Sequence, residues 1–167
     1  MPDVSPNSIP DLVARLAQRL TAQGLLIATA ESCTGGGIAQ ALTARAGSSA
    51  WFDTGFVTYS NHAKQRLLQV PESLFAPGAP GAVSEETVRA MTAGAIANSA
   101  AELAVAVSGI AGPDGGSDDK PVGTVWIAWQ WRDQTLARRF QFAGDREEVR
   151  HATVVAALEG CLLLIGE

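Results

Sequence analysis

The sequence predicts a single three-layer α/β domain, a mixed β-sheet of about five strands with helices on both faces. Three observations carry this reading. The chain has 167 residues, 47% apolar and 17% charged, which is one domain's worth of chain with material for a sizeable core. Short apolar runs alternate with segments whose apolar residues recur at helical spacing. The first three predicted strands each run into a stretch of small, polar or glycine residues, which is where open α/β sheets bind ligands.

In chain order, residues 1–10 are rich in Pro, Ser and Asn and read as a flexible leader, with the domain over 11–167. Residues 11–23 place Leu12, Val13, Leu16 and Leu20 on one helical face, and Gly24 stops that helix. Residues 25–30 form an apolar run, a buried strand. It feeds Glu31-Ser32-Cys33-Thr34-Gly35-Gly36-Gly37 and then a helical pattern through Ile38, Leu42 and Arg45. A strand, a glycine-rich turn and a helix cradle a ligand, with helix N–H groups pointing at it. Residues 52–60 read as a second strand, and Asn61 as the N-cap of a helix to about Leu68, ended before Pro71. After a loop over 77–81, Ser84 caps a helix with Glu85 and Glu86 in its first turn, running to about Asn98. Residues 103–108 are a central strand. Residues 122–130 and 135–142 make a hairpin around Arg132-Asp133, and Asp145 opens the last helix, with Val149, Thr153, Val154, Ala157 and Leu158 on one face. Trp129 and Trp131 share a strand face opposite Trp126, so one tryptophan face is expected to lie exposed and meet a partner subunit in a homodimer.

Composition excludes several classes. Seventeen acidic against twelve basic residues give a net charge of −5, the wrong balance for an electrostatic hold on nucleic acid. Cys33 and Cys161 lie far apart and form no metal or disulfide spacing, and His62 and His151 do not make a metal site between them. No metal or cofactor is therefore expected. The N-terminus has no basic stretch or apolar core of a signal peptide, and no apolar run reaches 18 residues, so a cytoplasmic protein away from membranes is expected. Ten of the twelve cations are Arg and two are Lys, Lys64 and Lys120, in a chain with 29 Ala. In such a chain a lysine marks a place where a group able to lose its proton is needed.

Ser32 is a candidate nucleophile at a helix N-terminus, or it and Thr34 merely cap the helix. Cys33 is a rival nucleophile or a buried thiol. The segment is neither GxSxG nor SxxK nor a P-loop. Tyr59 at a strand end and Lys64 in the next helix face the same pocket; Lys64 is a general base if burial lowers its pKa, and otherwise a solvated side chain. His62 reads as surface. The loop from Ser108 through Gly109, Gly112, Gly115 and Gly116 presents N–H groups to an anion or is a long turn. Asp118 and Asp119 read as solvated acids. Arg146 clamps a phosphate or carboxylate, or pairs with Asp145, Glu147 or Glu148.

These segments, in order, resemble the CinA C-terminal-domain family. They are Ala30-Glu31-Ser32-Cys33-Thr34-Gly35-Gly36, Gly47-Ser48-Ser49, Val57-Thr58-Tyr59-Ser60-Asn61 with Lys64, and Gly81-Ala82-Val83-Ser84. The loop of Ser108 to Gly116, the run Lys120-Pro121-Val122-Gly123-Thr124, and Gly144-Asp145-Arg146 complete the set, which spans nearly the whole chain. The resemblance implies hydrolysis of the carboxamide of nicotinamide mononucleotide to nicotinate mononucleotide and ammonia, in pyridine-nucleotide recycling and without metal or cofactor. It implies Ser32 as nucleophile, Lys64 as general base, Tyr59 assisting the pair, and substrate contacts from Thr34, Gly35, Gly36, Ser108, Gly109, Gly112 and Arg146. Two positions depart from the family pattern: Asp53-Thr54-Gly55 stands where many members have a Gly-Gly pair, and Ser108 where many have Thr. The amino-terminal domain of longer members is not in this sequence. The alternatives are a non-catalytic nucleotide-binding or regulatory module linked to competence or DNA damage, and an amidase on a related pyridine nucleotide.

Overall fold

The computed structural model describes residues 7–166. Five strands, β1 (Ile27–Glu31), β2 (Phe52–Val57), β3 (Leu103–Gly109), β4 (Thr124–Trp131) and β5 (Gln134–Gln141), form one sheet in the order β2-β1-β3-β4-β5. β1 pairs in parallel with both β2 and β3, whereas β3-β4 and β4-β5 are antiparallel. The helices are α1 (Ile9–Gln23), α2 (Gly37–Thr43), α3 (Asn61–Leu68), α4 (Glu85–Ala97) and α5 (Arg146–Ile165). The chain leaves β1 for a neighbour on one side and returns past it to a neighbour on the other. The C-terminal end of β1 is therefore the topological switch point, where such sheets open a crevice.

The two faces of the sheet differ in side-chain size. Ile27, Leu103, Val105, Val107, Ile127 and Trp129 pack under α1, α2 and α5. The alternate residues on the other face are Ala28, Ala30, Ala104, Ala106 and Ala128, and they pack against residues of α3 and α4 such as Leu68, Val88 and Met91. Small strand residues let that helical layer come close, and within the layer Gly94 of α4 lets the end of α3 pack against it. A Cβ there would stand 2.0 Å from the carbonyl oxygen of Leu68.

Several boundaries differ from expectation for local reasons. α1 starts at Ile9, because the Ser8 hydroxyl accepts from the Asp11 amide at 3.3 Å and Pro10 is tolerated in a first turn. Of the leader expected over 1–10, residues 1–6 lie outside the described residues. Ser60, not Asn61, caps α3, accepting from the Ala63 amide at 3.0 Å. The exposed tryptophan face is not formed. Trp129 is buried under α5, its Nε1 donating to the Ala157 carbonyl at 2.8 Å, while Trp126 and Trp131 are half-buried. Asp53, at a position of departure from the family pattern, accepts from the Ala100 amide at 2.9 Å and the Thr54 hydroxyl at 2.7 Å. It ties the start of β2 to the turn before β3, and these bonds hold its carboxyl below the usual value. Tyr59 follows the opposite end of β2, so this departure leaves the site untouched.

Candidate active site

Ser32 is the first residue after β1, and its amide extends the ladder by donating to the Val107 carbonyl at 3.1 Å. The Gly35 amide donates back to the Ser32 carbonyl at 3.0 Å, closing a turn that leads to Gly36 at φ +101°, a conformation that favours glycine. Gly36 occupies the N-cap of α2 and offers no side chain to it. Glu31 does so instead. Its fully buried carboxylate accepts from the Thr34 hydroxyl at 2.5 Å, the Ile38 amide at 2.8 Å and the Ala39 amide at 3.0 Å. The helix end expected to point at a ligand is thus filled by the protein's own carboxylate. Neither Ser32 nor Thr34 caps α2.

Lys64 lies on the inner side of α3 and is 1% exposed. Its Nζ is 3.1 Å from Ser32 Oγ, 2.8 Å from the Thr58 carbonyl and 3.3 Å from the Tyr59 carbonyl, donating to each as an ammonium. Burial pushes its pKa down to about 8, against a small opposing effect of the Cys33 sulfur. Ser32 is buried beside Lys64, 8% exposed. Cys33 is buried, and burial is the largest influence pushing its thiol up to about 11, which removes it as a thiolate nucleophile near neutral pH.

The other expected site residues divide. Tyr59 is 60% exposed and its hydroxyl accepts from Arg146 Nη2 at 3.0 Å, while its link to Lys64 runs through its backbone carbonyl. Arg146 also donates Nη1 to the Gly112 carbonyl at 2.8 Å, joining the second and third loops rather than pairing with its acidic neighbours. Asp145 and Glu148 instead bond reciprocally as the capping box of α5. Ser108 is buried at the end of β3, one position past the Glu31–Val107 pairing and so beside Ser32. Gly109 closes β3. The Thr34 hydroxyl serves Glu31 and the Gly35 amide serves the turn. Lys120 donates to the Pro80 carbonyl at 2.6 Å, fastening the third loop to the segment before α4. His62 is exposed.

Three contributors escaped the sequence reading: Glu31, the Thr58 carbonyl, and Arg150, whose Nη2 donates to the Thr34 carbonyl at 3.1 Å. An acid directly after an apolar strand with no basic neighbour signals a carboxylate in need of donors, which was the clue to Glu31. Arg150 stands one helical turn after Arg146, the spacing that puts both on one face. A main-chain carbonyl leaves no such trace. Among the described residues there is no group of three His, Cys, Asp or Glu placed to hold a metal ion, and no helix is long and apolar enough to cross a membrane.

Fold and site together define an α/β protein with a buried serine–lysine pair at the switch point of its sheet. This chain belongs to the CinA family, whose C-terminal-domain model matches residues 10–165. It is 58% identical to the nicotinamide-nucleotide amidohydrolase PncC of Pseudomonas putida, over 95% of this chain and 98% of that protein. It is 52% identical over 92% of its length to a CinA-like protein of Geobacter sulfurreducens, of which the match covers 36%. The crystal structure of the competence/damage inducible protein CihA from Agrobacterium tumefaciens is similar, with a TM-score of 0.90 and 46% identity over 95% of this chain and 96% of that one.

Proposed function

We propose that this protein hydrolyses the carboxamide of nicotinamide mononucleotide, giving nicotinate mononucleotide and ammonia, with Ser32 as nucleophile and Lys64 as general base. The observation that carries the reading is the set of three acceptors around Lys64 Nζ. A neutral amine has two N–H groups and one lone pair. When the carbonyls of Thr58 and Tyr59 take the two N–H groups, the lone pair is left facing Ser32, whose O–H then donates to Nζ. Burial to a pKa near 8 supplies that neutral form in useful amounts near pH 7.

The atoms balance over two steps. Ser32 Oγ attacks the carboxamide carbon as its proton passes to Lys64, and the Lys64 ammonium returns a proton to the nitrogen as the C–N bond breaks and ammonia leaves. Water, deprotonated by the same amine, then attacks the Ser32 ester; the C–Oγ bond breaks and Ser32 recovers its proton. Of the amides in the 32–36 turn, those of Cys33, Thr34 and Gly36 donate to no carbonyl among the described residues and are available to the oxyanion. A binding module without catalysis has no use for a lysine buried at the expense of its solvation. The curated relative's name and its near-complete coverage support the same substrate.

The test is ammonia release from nicotinamide mononucleotide by wild type, Ser32→Ala and Lys64→Arg, with hydroxylamine added to trap the nicotinoyl ester. Wild type is expected to be active and to yield the hydroxamate. Ser32→Ala is expected to be inactive, and Lys64→Arg to lose about 10²–10⁴-fold. Activity retained by Ser32→Ala overturns the serine mechanism, and an inactive wild type overturns the amidase reading.

A further inference from the structure

The proposed substrate carries a phosphate, and the helix end at which the sequence places an anion is closed to it by the Glu31 carboxylate. Some other group has to meet that charge. Lys64 is buried against Ser32, and Lys120 donates to Pro80. Arg146 spends two of its five N–H donors on Gly112 and Tyr59, and that use ties two loops together. Arg150 differs. It is exposed, and the one hydrogen bond it makes among the described residues runs from Nη2 to the Thr34 carbonyl, leaving Nη1 and Nε of a five-donor fork to a ligand. Gly35 is what admits it, since a Cβ at that position would stand 3.3 Å from Arg150 Nη2.

The surroundings of Arg150 have the form of a binding groove. Thr34, Gly37 and Gln40 from the serine turn and α2, with Arg150 and His151 from α5, line a shallow, solvent-open groove of about 390 Å³ whose floor is otherwise apolar. Thr34 is two residues after Ser32, so their Cα atoms are no more than ~7 Å apart. Arg150 Nη2 lies 3.1 Å from the Thr34 carbonyl, so the guanidinium stands at the same turn that carries the Ser32 hydroxyl. Glu147 also lines the groove and subtracts from its positive charge.

We propose that Arg150 binds the phosphate of a mononucleotide whose carboxamide lies at Ser32, with the ribose crossing the turn at residues 35–37. The assignment rests on the amidase reading for its substrate, and its test is independent of turnover. Ribose 5-phosphate, which has no carboxamide, is titrated calorimetrically against wild type with ribose as the control. Wild type is expected to bind the phosphorylated sugar alone, Arg150→Ala to weaken that binding at least tenfold, Arg150→Lys to restore part of it, and Glu147→Gln to tighten it. In turnover, the ratio of kcat/KM for the nucleotide to that for nicotinamide riboside is expected to fall at least tenfold in Arg150→Ala, through KM. Wild type that does not distinguish ribose 5-phosphate from ribose overturns the site. So does an Arg150→Ala variant that loses nucleotide and nucleoside activity in equal measure, because Arg150 then acts by supporting the serine turn. Failure of the amidase reading looks different: ribose 5-phosphate binds as expected while wild type releases no ammonia.

Discussion

Lys64 connects burial to reactivity through one number. An ordinary lysine titrates near 10.5, and burial brings this one to about 8, so about one molecule in ten has the neutral amine at pH 7. We expect kcat/KM to rise tenfold per pH unit below 8 and to level off above it; a profile flat from pH 6 to 9 contradicts the base role. The same shift sets a stability trend. The unfolded chain holds the Lys64 proton between pH 8 and 10.5 while the folded chain has released it, so this residue's contribution to stability improves as pH rises through that window. Cys33, next to the nucleophile, is expected to be dispensable: Cys33→Ala should retain activity within about threefold, since a thiol titrating near 11 is protonated throughout the working range. Inactivation by iodoacetamide, abolished in Cys33→Ala, is the contrary result. The residue types at this centre were legible in the sequence because serine, tyrosine and a scarce lysine stood out. Their partners were not, because a hydrogen bond from Lys64 to the Thr58 carbonyl or from Arg146 to the Tyr59 hydroxyl depends on where loops meet.

At the scale of elements, the turn between β1 and α2 is held by a carboxylate at its first residue. We expect Glu31→Gln to destabilise the protein by about 2–3 kcal/mol in urea unfolding, because its amide group places a donor against the buried amide of Ala39 or Ile38. A change below about 0.5 kcal/mol contradicts this role. Helix starts were readable where the cap is local: Ser84 accepts from Thr87, and Asp145 forms its box with Glu148, both at the spacing that a capping residue requires. Glu31 reaches amides seven and eight residues onward, and the glycine turn that brings them back is itself part of the folded result. Asn61 and Ser60 are equally good caps by type, and Ser60 takes the role because it is the last residue with extended backbone before the helix.

Across the whole molecule the two helical layers meet the sheet through unlike surfaces, large aliphatic side chains on one face and alanines on the other. The close layer is the less forgiving. We expect Gly94→Ala to cost about 1–3 kcal/mol in thermal or urea unfolding, since its methyl has to displace backbone at Leu68, and an unchanged Tm would show that α4 shifts freely. The net charge of −5 has a consequence of its own: duplex DNA is expected not to bind in a fluorescence anisotropy titration at about 0.1 M salt, and saturable binding would reopen the link to competence or DNA damage. Element types and their order and the three-layer architecture follow from periodicity, which is a property of neighbouring residues, and composition and spacing marked Ser32, Lys64 and Arg146 as candidates. The burial that lowers the Lys64 pKa, the closing of the α2 helix end by Glu31, the concealment of Trp129 beneath α5 and the placement of Arg150 beside the serine turn arise when distant segments share space. Desolvation and hydrogen-bond geometry depend on that shared space, and no local pattern encodes them.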